Sequence, residues 1–170
     1  TPFFVPYAMQ NLRISEGTIG SFLVVIALSG VVSNIWWGHI GKKYGVRWVL
    51  ILTGALLALP SLFAILAGLL PTSWQLPCYF LVFVADGISV SGMWVGFMAY
   101  MLNIAPPLSR PTYLGFMNTI LFPMSFAPLI AGVLVNFVDY EGLFAMSVGM
   151  GVLAFVVTTR LEGIVHEDEE

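Results

Sequence analysis

Asp86 is the only ionisable residue inside any long apolar stretch of the sequence. A carboxylate in the hydrocarbon core of a membrane costs roughly 2.5–3.5 kcal/mol on insertion scales, so such residues usually face a cavity or a partner. Asp86 lies about 12 Å along a helix axis from Cys78, where its apolar stretch begins. That depth favours binding of a cationic group or carriage of a proton. The alternative is an idle, wetted carboxylate near the outer end of the helix.

Residues three, four, seven and eight positions after Asp86 share its face if the segment is helical. That face carries hydroxyl, thioether and aromatic groups: Ser89, Val90, Met93, Trp94 and Phe97, with Tyr100 further along. We therefore take Asp86, Ser89, Met93, Trp94 and Tyr100 as candidates for substrate binding or proton coupling. The alternative for the aromatic members is helix packing.

The sequence predicts no catalytic residue, metal site or cofactor. A membrane-embedded enzyme would need a nucleophile with a base, paired carboxylates or a metal cluster. The single cysteine, Cys78, supports neither a disulfide nor a cysteine metal site, and His39 and His166 lie outside the apolar stretches. The net charge is −3, and the last four residues are all acidic, so the body is nearly neutral and nucleic-acid binding is not expected.

The composition points to a membrane protein. Hydrophobic residues make up 59% of the 170 and charged residues only 9%, whereas soluble domains carry about 25% charged residues. Spanning helices need about 20 apolar residues, and barrel strands would alternate in polarity. We predict an all-α polytopic bundle over residues 1–161 and an acidic cytoplasmic tail over 162–170. The five predicted spans are 18–38, 47–70, 78–104, 112–137 and 142–160, and the first ten residues are expected to end a sixth span.

Basic residues give the orientation. Five of the six lie on one side of this zigzag, namely Lys42, Lys43, Arg47, Arg110 and Arg160, and only Arg13 lies on the other. Lys and Arg are enriched in cytoplasmic loops, so loops 39–47 and 103–111 and the tail are predicted to be cytoplasmic in a cell-membrane protein. Trp36, Trp37, Trp48 and Trp74 lie at predicted span ends, where interfacial aromatics are expected.

The most specific motif is GHIGKKYGVR, which begins at Gly38 and ends at Arg47. Gly38 is expected at a helix end, where it would let a neighbouring helix approach, and Gly45 is expected at positive φ. The segment, which also contains Lys43, resembles the cytoplasmic loop signature of the major facilitator superfamily through Gly38, Lys42, Gly45 and Arg47. Gly41 stands where that family usually has Asp, which favours the second, eroded copy of the signature and therefore the C-terminal half.

The resemblance implies a secondary active transporter of a small solute that works by alternating access. The chain would be the end of the seventh helix and the eighth to twelfth helices, with the fourth helix of the half, 78–104, lining the central cavity. The implied partners are the lipid bilayer, a small-molecule substrate, the N-terminal half of the same polypeptide and a coupled proton or ion. A non-transporting sensor or assembly module on the same fold is the alternative.

Small and polar residues inside the spans predict helix contacts. The glycines expected at close helix contacts are Gly30, Gly54, Gly87, Gly92, Gly96, Gly132, Gly149 and Gly151. Ser33, Asn34 and Asn118 are expected to form hydrogen bonds between helices.

Overall fold

A computed structural model describes residues 2–160, and all regular structure within that range is helical. The helices are α1 (Phe4–Gln10), α2 (Glu16–Tyr44), α3 (Val46–Leu56), α4 (Leu59–Leu69), α5 (Thr72–Ile104), α6 (Arg110–Leu121) and α7 (Ala127–Thr159), with 3₁₀ turns at Pro107–Ser109 and Phe122–Phe126. The predicted all-α membrane bundle is confirmed. The predicted tail, 162–170, lies outside the described residues.

Four stretches of the described chain are long and apolar enough to cross a membrane: Gly17–Tyr44, Val46–Leu69, Thr72–Ile104 and Pro107–Thr159. The last has 53 residues, which corresponds to about 80 Å of helix and more than twice the bilayer core. Asp139 breaks it, because its φ of 56° and ψ of 176° are not helical. We call the parts before and after this break α7a (127–138) and α7b (140–159). The break at Asp139 divides this stretch into two parts, each of which could cross the membrane once. The predicted total of five membrane crossings stays a prediction.

A proline separates α3 from α4. Pro60 has no N–H, so the carbonyl of Leu56, four residues earlier, lacks its usual helical donor. The hydroxyl of Ser89 on α5 donates to that carbonyl at 3.1 Å. Leu57 and Ala58 keep right-handed helical angles, so the interruption is a bend rather than a loop.

Helix α5 is the centre of the bundle, with α2 on one side and α3 and α4 on the other, while α3 and α4 also pack against α7. Glycine permits the closest contacts. A Cβ on Gly92 would lie 2.5 Å from the Trp37 ring, and one on Gly151 would lie 2.8 Å from the Ala58 nitrogen. Close packing is confirmed for Gly30, Gly54, Gly87, Gly92, Gly96 and Gly151, and it is wrong for Gly132 and Gly149, which have nothing of the described chain within 4 Å of such a Cβ.

Polar side chains join α2 to α5. The Ser91 hydroxyl donates to the Asn34 side chain and lies 3.1 Å from the Gly30 carbonyl, so the predicted interhelical role of Asn34 is confirmed. The prediction for Ser33 is wrong, because its hydroxyl donates to Gly30 of its own helix. Trp37 is buried, and its indole donates to the Ile88 carbonyl at 3.1 Å, so it is a packing residue rather than an interfacial one.

Helix α1 seals one end of the bundle with an aromatic cluster. Its members are Phe4, Tyr7, Phe22, Tyr79, Phe83 and Phe144, drawn from α1, α2, α5 and α7b. The Tyr79 hydroxyl donates to the Phe4 carbonyl, which fixes α1 against α5. By contrast, α6, the following 3₁₀ turn and α7a form an arm over 110–138 in which Met117 is the one buried residue.

Candidate functional site

Asp86 lines a cavity of about 260 Å³, which we call the Asp86 cavity. Four elements meet there: the start of α1, the bend between α3 and α4, the middle of α5 and the beginning of α7b. Its lining residues are Phe3, Phe4, Leu57, Pro60, Ser61, Asp86, Ser89, Val90, Leu143, Phe144 and Ser147. Asp86 lies about 21 Å from the start of α5 and about 27 Å from its end, so it is near the middle of the helix and not at a wetted end.

Three serines share the cavity with the carboxylate. Asp86 is 7% exposed, and Ser61 and Ser89 are also buried. Ser89 donates to helical carbonyls, with Ala85 at 2.6 Å and Leu56 at 3.1 Å, and Ser147 donates to Leu143 at 3.0 Å. Because these hydroxyl protons are directed to the backbone, the oxygens offer lone pairs to the cavity. Carboxylate and hydroxyl oxygens together make an electron-rich lining that suits a cation or a proton.

A second cavity, the Trp94 cavity, has a volume of about 510 Å³ and lies between α5 and the arm. It is lined by Met93, Trp94, Phe97, Asn118, Leu121, Phe122, Met124 and Ser125. None of these side chains is ionisable. The cavity therefore combines aromatic and thioether surface with an indole, an amide and a hydroxyl.

The candidate residues on the Asp86 face of α5 thus line two different cavities. Asp86 and Ser89 line the first, and Met93 and Trp94 line the second, about 12 Å along the helix from Asp86. Tyr100 is partly exposed and is among the lining residues of neither cavity. Ser61, Ser125 and Ser147 were not predicted as lining residues, because a serine in an apolar helix carries no signal of which neighbour it faces.

Asn118 was assigned to interhelical bonding, and the structure instead places it at the Trp94 cavity. A third cavity of about 540 Å³ between α2 and α5 is almost wholly apolar, with Ser29 and Ser33 as its polar members. No group of three or more His, Cys, Asp or Glu within residues 2–160 could hold a metal ion.

The basic motif is mostly helix. Helix α2 continues to Tyr44, so Lys42 and Lys43 occupy its last turn, and the predicted position of Gly38 at a helix end is wrong. A Cβ on Gly38 would meet nothing of the described chain within 4 Å, whereas one on Gly41 would touch Val49 at 3.5 Å. Gly45 alone connects α2 to α3, and its φ of 88° confirms the predicted positive φ.

Arg47, the last residue of the motif, reaches the far end of the chain. Its guanidinium donates to the Thr159 carbonyl at 3.1 Å. Thr159 ends α7, where the last carbonyls have no donor within the helix and carry the negative end of the helix dipole. Arg47 therefore holds the end of α7b against the beginning of α3.

The four long apolar helical stretches define a multi-pass membrane protein. The family model of the Major Facilitator Superfamily matches residues 1–168, and the chain belongs to that superfamily. No curated protein matches the chain. Membership makes the protein a major facilitator transporter.

Proposed function

We propose that the chain is the C-terminal half of a secondary active transporter that moves a small solute by alternating access. In this proposal a second six-helix half, on the same polypeptide, faces it across the substrate pathway. Transporters of this kind place substrate and coupling ions near the bilayer midplane and rock one half against the other. The middle of α5, where Asp86 lies, has the depth that such a site requires.

The Asp86 cavity is the observation that carries the proposal. An apolar helix retains a carboxylate at its centre only if the charge has a use, because the carboxylate is costly there. Three serines and the carboxylate converge on one small space, in which Asp86, Ser61 and Ser89 are buried. In our proposal Asp86 takes up a coupled proton or a cationic group in one state of the cycle and releases it in the other.

The bend between α3 and α4 gives the cavity a movable wall. Leu57, Pro60 and Ser61 line it from that bend, and Leu143, Phe144 and Ser147 line it from α7b. A displacement of α4 or α7b relative to α5 would change how much of Asp86 is covered. The cation could then reach the carboxylate from one side of the membrane at a time.

The test compares ion-driven uptake by the natural polypeptide that carries this chain, reconstituted in liposomes, with uptake by its variants. Radiolabelled small solutes are screened under an inward pH or sodium gradient, and the solute that accumulates is used thereafter. Asp86→Asn keeps the side-chain shape and removes the charge, so uptake should lose its dependence on the gradient. Asp86→Glu should retain part of that dependence.

Asp139→Asn is the matched control, because it makes the same chemical change at the break in α7, outside the Asp86 cavity. It should leave gradient-driven uptake unchanged. If Asp86→Asn retains normal gradient dependence at equal reconstituted amounts, Asp86 has no coupling role. If the unaltered protein moves no solute under any gradient, the sensor or assembly alternative replaces transport.

A further inference from the structure

The Trp94 cavity presents polar groups that the chain itself does not satisfy. Among residues 2–160, no hydrogen bond engages the Trp94 indole N–H, the Asn118 amide or the Ser125 hydroxyl. All three side chains are exposed, so their polar groups are open to a ligand. Three such groups, from α5, α6 and the 3₁₀ turn that follows α6, line one cavity.

These groups lie at matching depths. Trp94 is about 15 Å from the end of α5 at Ile104, and Asn118 is about 12 Å from the start of α6 at Arg110. The short connection between these two ends brings the helices side by side, so both side chains occupy the same level of the bundle. Trp94 is 50% exposed, which leaves much of its ring open to a ligand.

The lining from this chain also gives a charged ligand no partner of opposite charge. The cavity contains no acidic or basic side chain, and an ion taken out of water needs a partner of opposite charge to offset its desolvation. The one carboxylate on this face, Asp86, lines the other cavity. Aromatic and thioether surface with a few neutral donors and acceptors is instead typical of sites for uncharged ligands.

We propose that the Trp94 cavity is the substrate subsite and that it takes an uncharged aromatic or apolar solute bearing one or two neutral hydrogen-bonding groups. The ring of the solute stacks on Trp94 and Phe97, and Asn118 and Ser125 bond its polar group. Asp86, one cavity away, serves the coupling cation and does not touch the solute. This inference rests on the proposed transport function, because it assigns the two cavities to the two species that a coupled transporter moves.

Three isosteric probes separate the charge classes: benzamide is neutral, benzamidine is a cation near neutral pH, and benzoate is an anion. Binding to the natural polypeptide in detergent is measured by isothermal titration calorimetry. Benzamide should bind at least about tenfold more tightly than either charged probe. Asn118→Leu should weaken benzamide binding by about tenfold, since it removes the amide and leaves a side chain of similar size.

Asn136→Leu is the matched control, because Asn136 lies on the same arm and its side chain bonds its own helix at Gly132. It should leave benzamide binding unchanged. The proposal fails if benzamidine binds best and loses affinity in Asp86→Asn. It also fails if none of the three probes binds, or if Asn118→Leu binds benzamide normally.

The two proposals can fail separately. Binding of benzamide without gradient-driven uptake of any solute would preserve the subsite and remove the transport function. Gradient-driven uptake of a charged solute, with no binding of benzamide, would preserve transport and remove this subsite.

Discussion

The bundle around α5 and the arm over 110–138 have similar apolar sequences, but they use their small and polar residues differently. Around α5, Gly92 and Gly151 lie at close helix contacts, and Ser91 bonds Asn34 across two helices. In the arm, a Cβ on Gly132 would meet nothing of the described chain within 4 Å, and Asn118 lines a cavity. In the bundle, helix packing already engages the small and polar residues. In the arm, residues of the same types remain available. Ligand-binding groups are therefore best sought where the arm meets α5.

The strongest test of this contrast substitutes one glycine in each region. Gly92→Leu would drive a side chain into Trp37 and Thr53, and overpacking of this kind costs about 1–3 kcal/mol or more. Gly132→Leu should cost nothing and can raise the free energy of unfolding by up to about 0.8 kcal/mol, since it adds a good helix former with open space around it. Thermal unfolding in detergent and the monodisperse yield report both values. Equal losses in the two variants would contradict the contrast.

A smaller effect is expected at the bend, where Ser89 replaces the donor that Pro60 lacks. Ser89→Ala leaves the partly buried Leu56 carbonyl without this hydroxyl and should cost about 1 kcal/mol of unfolding free energy. Pro60→Ala restores an N–H to the helix, so Ser89→Ala made in that background should cost much less. A double-mutant cycle measures the difference. Additive losses would mean that Ser89 does not serve the carbonyl that Pro60 leaves free.

The smallest effect is expected at the exposed contact between Arg47 and Thr159, which joins α3 to the end of α7b. Arg47→Gln removes the charge and should cost only about 0.3–1 kcal/mol at low ionic strength, with less loss at high salt. Hydrogen exchange should quicken in the last turn of α7b and stay unchanged in the arm. Lys43→Gln is the control, since the Lys43 ammonium instead lies 5.0 Å from the Tyr44 ring. Faster exchange in the arm would show that Arg47 stabilises more than the end of α7b.

Helix content and single-helix faces were predictable from the sequence, because they depend on local properties. Apolar length predicted the helical stretches, the 3.6-residue period predicted that Asp86 and Ser89 share a surface, and the turn at Gly45 followed from its lack of a side chain. Gly38 was predicted at a helix end and lies inside α2, because a glycine near a basic cluster is compatible with either position.

The site was only partly predictable, because its other walls come from distant parts of the chain. Periodicity on α5 could not reveal that Ser61 and Ser147 would face Asp86, since they lie on other helices. It also could not show that Ser89 and Met93 line different cavities, because that depends on where α6 meets α5. Glycine spacing indicates that a close contact is possible and does not identify its partner, which is why Gly132 was assigned wrongly.

The bond between Ser89 and the Leu56 carbonyl also determines how freely α3 and α4 can flex. In an uninterrupted helix, bending breaks ladder bonds that must re-form, whereas Pro60 has removed that bond permanently. Opening the bend further therefore loses one hydrogen bond, about 1 kcal/mol, in addition to the packing of α3 and α4 against α5 and α7. The Ser89 hydroxyl, on the neighbouring helix, is the polar partner that opposes this opening at Leu56.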